Sequence, residues 1–198
     1  MRKSTKDQLS DALKTLLETQ PLSSITVSDI SNECGLSRMT FYYHFKGVRD
    51  AVSWMLTDLF RADELPGKFD AVWLDAIAGL FESMSKNKTL LLNVYGSIGQ
   101  DQIQDIVGRV LFPIADEQFD SLSRRMHLSE SDKTFIKRFF GNAVIGTCFE
   151  WIESGMAEDD VDTMVQRCGL ALENSVMNVV KAFDKRNRAI ERAAHEGE

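Results

Sequence analysis

The stretch that most constrains the fold is residues 26–46, because it holds the signals for two short helices and a tight turn. Thr26 can cap a first helix, since its hydroxyl can accept a hydrogen bond from a free backbone N–H in the first turn. Gly35 can end that helix, because glycine takes the left-handed C′ position without a Cβ penalty. Ser37 can cap a second helix over residues 38–45. We therefore predict two helices joined by a short turn.

The second helix is predicted to be cationic and free of acids. Residues 34–49 contain no Asp or Glu, whereas Arg38, Lys46 and Arg49 are cationic and His44 is titratable. Such a helix is suited to lie against the phosphates of DNA. The alternative is an ordinary solvated helix face. The charge pattern and the two-helix arrangement together indicate a DNA-binding helix-turn-helix.

The same stretch resembles the N-terminal domain of the TetR/AcrR family of bacterial transcriptional regulators. The resemblance rests on Thr26-Val27-x-Asp29-Ile30, on Cys-Gly-Leu-Ser at 34–37 and on Thr-Phe-Tyr-Tyr-His-Phe-Lys at 40–46. The rest of the chain is similar to the family in size and helical character, and more weakly to a subgroup with a Firmicutes-type C-terminal domain. The resemblance implies a homodimer that binds a palindromic double-stranded DNA operator and, in most relatives, a small effector.

The DNA contacts are predicted in two sets. Base edges are predicted to meet exposed positions of the second helix, namely Arg38, Met39, Thr40 and Tyr42. Phosphate contacts that set the register are predicted for Thr26, Ser37, Tyr43, His44 and Lys46. Phe41 and Phe45 are expected in the core instead, because they share a face with Ile30.

Two positions differ from the family pattern. Val48 stands where relatives often have a lysine that meets a phosphate, so we assign that contact to Lys46. Met39 stands where many relatives have a small residue. A methionine can contact a thymine methyl group but carries no hydrogen-bond code. The resemblance therefore does not specify the operator sequence.

The whole chain is predicted to be all-α with two domains. It has three prolines in 198 residues, and no segment shows sustained strand alternation. We expect a three-helix helix-turn-helix domain over residues 1–47 and a helical effector-binding and dimerisation domain over residues 48–198. Residues 1–50 hold seven Lys/Arg and six Asp/Glu, which gives a net charge of +1. Because the whole chain carries −7, residues 51–198 carry −8. An acidic body repels DNA everywhere except at the acid-free helix.

Several longer helices are predicted in the second domain. A helix over 48–65 would link the domains, and Pro113 would kink a helix over 102–125. Two long helices, over 130–154 and from 159 to about 192, would close the chain. The first is apolar on nearly all sides between residues 139 and 152, so it must be covered on more than one side. We predict that these two helices form half of a four-helix bundle with a second copy.

Aromatic and Met side chains in residues 69–151 predict a largely apolar cavity for a small apolar or amphipathic effector. Its expected walls are Trp73, Phe81, Tyr95, Phe139 and Phe149. A filled core would use the same residue types. An activator or co-activator that binds a protein partner instead of a metabolite is the alternative within this class.

Catalytic, metal and cofactor sites are not expected. The three cysteines are far apart, and no His lies within metal-ligand spacing of another His or of a Cys. A helical-bundle enzyme is the rival from another class, but no acid–base or nucleophile pattern supports it. The longest uncharged run, residues 89–100, is too short to span a membrane, so we expect a cytoplasmic protein.

Overall fold

The computed structural model describes residues 3–60, 72–98, 100–156, 160–172 and 174–196. Within these ranges the chain forms ten α-helices and one short 3-10 helix, Leu22–Ser24, and no strand. The helices are α1 (Thr5–Leu17), α2 (Val27–Glu33), α3 (Arg38–His44), α4 (Val48–Phe60), α5 (Val72–Lys86), α6 (Lys88–Tyr95), α7 (Gln100–Ser123), α8 (Glu130–Glu153), α9 (Val161–Leu172) and α10 (Ser175–Glu196). The predicted all-α fold is confirmed. No helix of the described ranges is long and apolar enough to cross a membrane.

Local signals start and stop the N-terminal helices. Thr26 caps α2 through a capping box, in which its hydroxyl accepts from the backbone N–H of Asp29 and the Asp29 carboxylate accepts from the backbone N–H of Thr26. Gly35 has φ +67°, and the N–H groups of Gly35 and Leu36 donate to carbonyls in the last turn of α2. The turn between α2 and α3 is therefore set by residues that the sequence identifies.

Helix α1 joins the helix-turn-helix to the rest of the molecule. Leu9, Leu13 and Leu17 are fully buried along one face of α1, which packs against α2, α4 and α6. The side chain of Asn93 on α6 donates a hydrogen bond of 2.8 Å to the carbonyl of Leu17. The N-terminal helices are thus held from two sides.

Helix α4 packs against both parts of the chain. It contacts α1 on the N-terminal side and α5 and α7 on the C-terminal side. Val52, Met55 and Leu56 are fully buried, and one apolar core continues from α1 through α4 to α9. The predicted end of this helix near residue 65 lies outside the described residues, and the domain boundary at residue 47 stays a prediction.

Helices α7 and α8 are packed closely through one aromatic ring. Helix α7 runs on through Pro113, and the Phe112 side chain faces Gly108 on α7 and Gly141 on α8. A methyl group added at Gly141 would lie 2.5 Å from Phe112 Cε1. Glycine at this position lets the ring pack directly against the backbone of α8.

The single helix predicted from residue 159 to about 192 is wrong. The structure divides it into α9 and α10, and Asn174 between them has φ +54°. Asparagine tolerates this left-handed conformation better than most residues, and its carbonyl accepts from Asn178 N–H to begin α10. The break redirects the chain, so that α9 packs on α5 while α10 packs on α8.

Candidate nucleic-acid interface

Helix α3 is capped by a pair of hydroxyl groups. Ser37 Oγ accepts from Thr40 N–H at 3.0 Å, and the two hydroxyl oxygens lie 2.9 Å apart. One hydroxyl must donate to the other, so the pair keeps one free O–H donor. This donor is available to a phosphate at the start of α3.

Two buried phenylalanines anchor α3, as the sequence predicts. Phe41 is fully buried, Phe45 is nearly so, and their ring centroids lie 5.6 Å apart. Phe45 also packs against Trp54 of α4 with 6.1 Å between ring centroids. Lys6 Nζ lies 5.2 Å from the Phe45 centroid and 5.0 Å from that of Trp54, within reach of cation–π attraction. Helices α1, α3 and α4 therefore hold one another in orientation.

The opposite face of α3 is open to solvent. Met39 is 85% exposed, Tyr43 is 86% exposed and Tyr42 is 53% exposed. Arg38 is exposed beside them. A helix of seven residues with three exposed large side chains of this type has a surface suited to a partner. Of the predicted base contacts, Arg38, Met39 and Tyr42 thus lie at the surface, whereas Thr40 is half-buried.

The residues predicted to contact phosphates differ in exposure and in whether their hydrogen-bond donors are already used within the protein. Tyr43 and Lys46 are exposed, and the half-buried His44 ring packs edge-on against Tyr43 at 5.0 Å. The Thr26 hydroxyl lies 2.6 Å from Asp29 Oδ2, and its backbone N–H donates to the same oxygen. Both hydrogen-bond donors of Thr26 thus serve the cap of α2. These bonds lower the pKa of Asp29, with the Thr26 hydroxyl as the largest cause.

Asp50 is a residue of this region that the sequence analysis does not assign. Its carboxylate accepts from the backbone N–H of Lys46 at 2.9 Å and lies in the first turn of α4. Asp50 is the third residue of α4, a position from which an acidic side chain can reach back to the backbone N–H groups before the helix, and this position could have indicated it. This hydrogen bond holds the backbone of Lys46 in place, and the exposed Lys46 side chain takes no part in it.

The predicted effector-pocket residues do not form one wall. Phe81 and Phe149 are buried in the main core, where Phe81 packs on Trp151 with 5.3 Å between ring centroids. Tyr95 packs against Phe149 at 6.3 Å. Phe139 instead lies on the outside of α8 and is 59% exposed. The Trp73 side chain is outside the described residues.

Tyr95 also makes a polar contact with α8. Its hydroxyl donates to Glu153 Oε1 at 2.6 Å. Partial burial and this carboxylate raise the pKa of Tyr95 to about 12. The contact joins α6, which also binds α1 through Asn93, to the end of α8.

Two clefts can be described from their lining residues. One of about 760 Å³ lies between the loop 124–129 and α10. There the side chains of Asn187 and Arg186 donate hydrogen bonds to Asp132 and lower its pKa to about 2, with Asn187 as the largest cause. Another of about 440 Å³ lies beside α5 and the end of α8. Neither cleft is lined by the predicted walls of the effector cavity that the structure describes, namely Phe81, Tyr95, Phe139 and Phe149.

An aromatic surface cluster covers one face of α8 and α10. Phe135 is 57% exposed. Its ring stacks on the rings of Phe139 and Phe183, with 6.0 Å and 6.1 Å between the ring centroids. Further along α8, a methyl group added at Gly146 would have no neighbour within 4 Å. This face combines exposed aromatic rings with a flat stretch of backbone.

Cysteine and metal chemistry do not mark a site in the part of the chain that the structure describes. There, no three His, Cys, Asp or Glu side chains are placed to hold a metal ion. The Cys34 thiol donates to the carbonyl of Ile30, which suits a packing role in the turn. Burial raises the pKa of the Cys148 thiol, so it favours the neutral form.

Comparisons with known proteins give consistent matches over both parts of the chain. Residues 9–49 match the model of bacterial regulatory proteins of the tetR family, and residues 72–174 match a transcriptional regulator C-terminal region. No curated protein is similar enough in sequence to count as a match.

Solved structures share the fold at low sequence identity. A dihydroxyacetone kinase operon activator, DhaS, is 21% identical with a TM-score of 0.65, over 91% of this chain and 98% of its own. The fatty acid degradation regulator FadR from Bacillus halodurans is 14% identical with a TM-score of 0.59, over 85% and 94%. The repressor AlkX from a Dietzia strain is 22% identical with a TM-score of 0.55, over 87% and 98%.

Proposed function

This chain belongs to the TetR family of bacterial transcriptional regulators, and from that premise we propose that it binds a palindromic DNA operator as a homodimer. Helix α3 of each copy enters the major groove of one half-site. A small effector that binds the C-terminal domain releases the dimer from the operator. The protein acts as a repressor while the dimer is bound there. The exposed, acid-free face of α3 is the single observation that carries the DNA-binding part.

The geometry of α3 supports a division of the DNA contacts. Arg38 is exposed, and its guanidinium can donate two hydrogen bonds to one guanine. Lys46 is exposed at the other end of α3, where a lysine acts as a point charge on phosphate. Arg38 is therefore proposed to give specificity and Lys46 to give sequence-independent affinity.

Mutation and salt dependence test this division on an operator selected from random DNA. Arg38→Ala should weaken operator binding by about 1–3 kcal/mol and relax the preference at one base position. Lys46→Ala should weaken binding to all sequences alike. It should also make the slope of log K against log salt less steep by about one unit, which is the contribution of one phosphate contact. The assignment fails if both variants bind operator and unrelated DNA as the parent does.

The homodimer is proposed to form through α8 and α10. Phe135, Phe139 and Phe183 form a stacked cluster that one copy leaves open to water. The open surface at Gly146 allows close approach of a second α8. Burial of this face by a second copy gives the four-helix bundle that the sequence predicts.

Effector release requires a structural link between the two domains. Helix α4 packs on α1 and on α7, and α6 binds α1 through Asn93 and α8 through Tyr95. A ligand that favours one arrangement of these helices changes the separation of the two α3 helices. By linkage, that ligand lowers operator affinity and the operator lowers ligand affinity by the same factor.

A second candidate is an activator or co-activator that binds a protein partner instead of a metabolite. The packing of Phe81 and Phe149 favours it, because these two predicted cavity walls are buried in the main core. The relative DhaS is described as an operon activator. A thermal-shift screen with apolar and amphipathic metabolites separates the two: a stabilising ligand that weakens operator binding supports the repressor. Operator binding with no such ligand supports the second candidate.

A further inference from the structure

The side chains of α3 leave few ways to read a base. Its seven residues, Arg-Met-Thr-Phe-Tyr-Tyr-His, include no Asn, Gln, Asp or Glu. Asn and Gln are the residues that bind adenine in a bidentate manner, and Asp and Glu accept from the cytosine amino group. The Thr40 hydroxyl can bond to more than one base and gives little discrimination, so the chemistries left to the first turn of α3 for choosing a base are donation to guanine and apolar contact with the thymine methyl group.

Met39 is the side chain best placed for the apolar contact. It is 85% exposed and lies in the first turn of α3, the part of such a helix that reaches base edges. Its neighbour Thr40 is half-buried, and the Thr40 hydroxyl is paired with that of Ser37. Tyr42 is partly covered, because its ring packs edge-on against Phe41. Met39 is thus the least covered apolar group in this turn.

We propose that Met39 reads the C5-methyl group of one thymine in each operator half-site, beside a guanine bound by Arg38. This inference rests on the proposed function, since it requires α3 to lie in the major groove. The thioether is flexible and polarizable, so it can close on a methyl group without a fixed rotamer. Cytosine lacks the methyl group, and replacement of the thymine by cytosine therefore removes the contact.

Deoxyuridine isolates the contact, because it differs from thymidine only in that methyl group. Each thymidine of the selected operator is replaced in turn, symmetrically in both half-sites, and binding of the full-length protein is measured. At the position read by Met39, loss of one buried methyl should weaken binding about fourfold per half-site, or about fifteenfold for both. Met39→Ala should bind the thymidine and deoxyuridine operators equally at that position.

Thr40→Ser is the matched control, because it removes a neighbouring methyl and keeps the hydroxyl. It should retain the full penalty for deoxyuridine. Both changes lie in α3, and the high exposure of Met39 means that Met39→Ala leaves the core intact, which the melting temperature checks.

The outcomes separate this inference from the function on which it rests. If selection enriches no sequence, the proposed operator binding fails and the inference fails with it. If an operator is obtained but the parent tolerates deoxyuridine at every position, the inference alone is overturned. It is likewise overturned if Met39→Ala keeps the deoxyuridine penalty of the parent.

Discussion

Single residues set the conformation of the helix-turn-helix. Gly35 adopts φ +67°, and the capping box of Thr26 and Asp29 begins the helix before it. Ser37 begins the helix after it. These contacts are local in sequence, which is why each can be recognised from residue type and spacing before any packing is known.

Replacement of Gly35 tests the turn. Gly35→Ala should destabilise the protein by about 1–2 kcal/mol, because an L side chain is strained in the left-handed region. Space is not the cause, since an added Cβ would meet nothing within 4 Å. Gly96→Ala is the control, because Gly96 has the same free space but helical backbone angles, φ −71°. Equal melting temperatures for the two variants would contradict this account of the turn.

Tyr95 gives the stability a pH dependence at the residue scale. The pKa of Tyr95 is raised to about 12 by burial and by Glu153, so the folded protein favours the neutral phenol. The stabilising effect is complete below the ordinary tyrosine pKa of about 10 and is lost as the pH rises towards 12. Tyr95→Phe should therefore melt below the parent at pH 8, with a gap that narrows by pH 11. A gap that widens with pH would refute the contact.

At the scale of helices, the sequence predicts that a helix exists better than it predicts where that helix begins and ends. The predicted burial of Phe41 and Phe45 holds because the period of 3.6 places both on the face opposite Met39. The division into α9 and α10 is missed, since the apolar period continues across Asn174 and only its backbone angle reveals the break. The position of Phe139 on an outer face depends on how α8 turns against α7, and spacing within one helix cannot specify that.

A single substitution that introduces a charge tests whether the aromatic surface cluster on α8 and α10 forms the proposed dimer interface. Phe139→Glu should raise the dimer dissociation constant by about thirtyfold or more, as expected when a central aromatic residue of an interface is replaced. Leu170→Glu is the control, because Leu170 is 70% exposed but lies on α9, outside the aromatic cluster. Sedimentation velocity of the two folded variants measures the effect. A dimer that survives Phe139→Glu but not Leu170→Glu would place the interface elsewhere.

At the scale of the whole molecule, charge and packing have separate roles. The acidic C-terminal part disfavours general DNA binding, whereas the acid-free α3 faces solvent at the N-terminal end. Helices α4 and α6 connect that end to α7 and α8 through one continuous core and two side-chain hydrogen bonds. In the described residues, the N-terminal and C-terminal helices are therefore joined by packed side chains and hydrogen bonds, which is the physical link that the proposed effector response requires.

The most direct test of operator binding by a homodimer is the mass and symmetry of the complex with DNA. The protein is used to select duplexes from a random pool, and the complex with the enriched duplex is weighed by native mass spectrometry. We expect a palindrome whose half-site centres are about one helical turn apart, or a multiple of it, with two copies of the chain bound to each palindrome, one on each half-site. One copy on an asymmetric site, or no enriched sequence, would contradict the account.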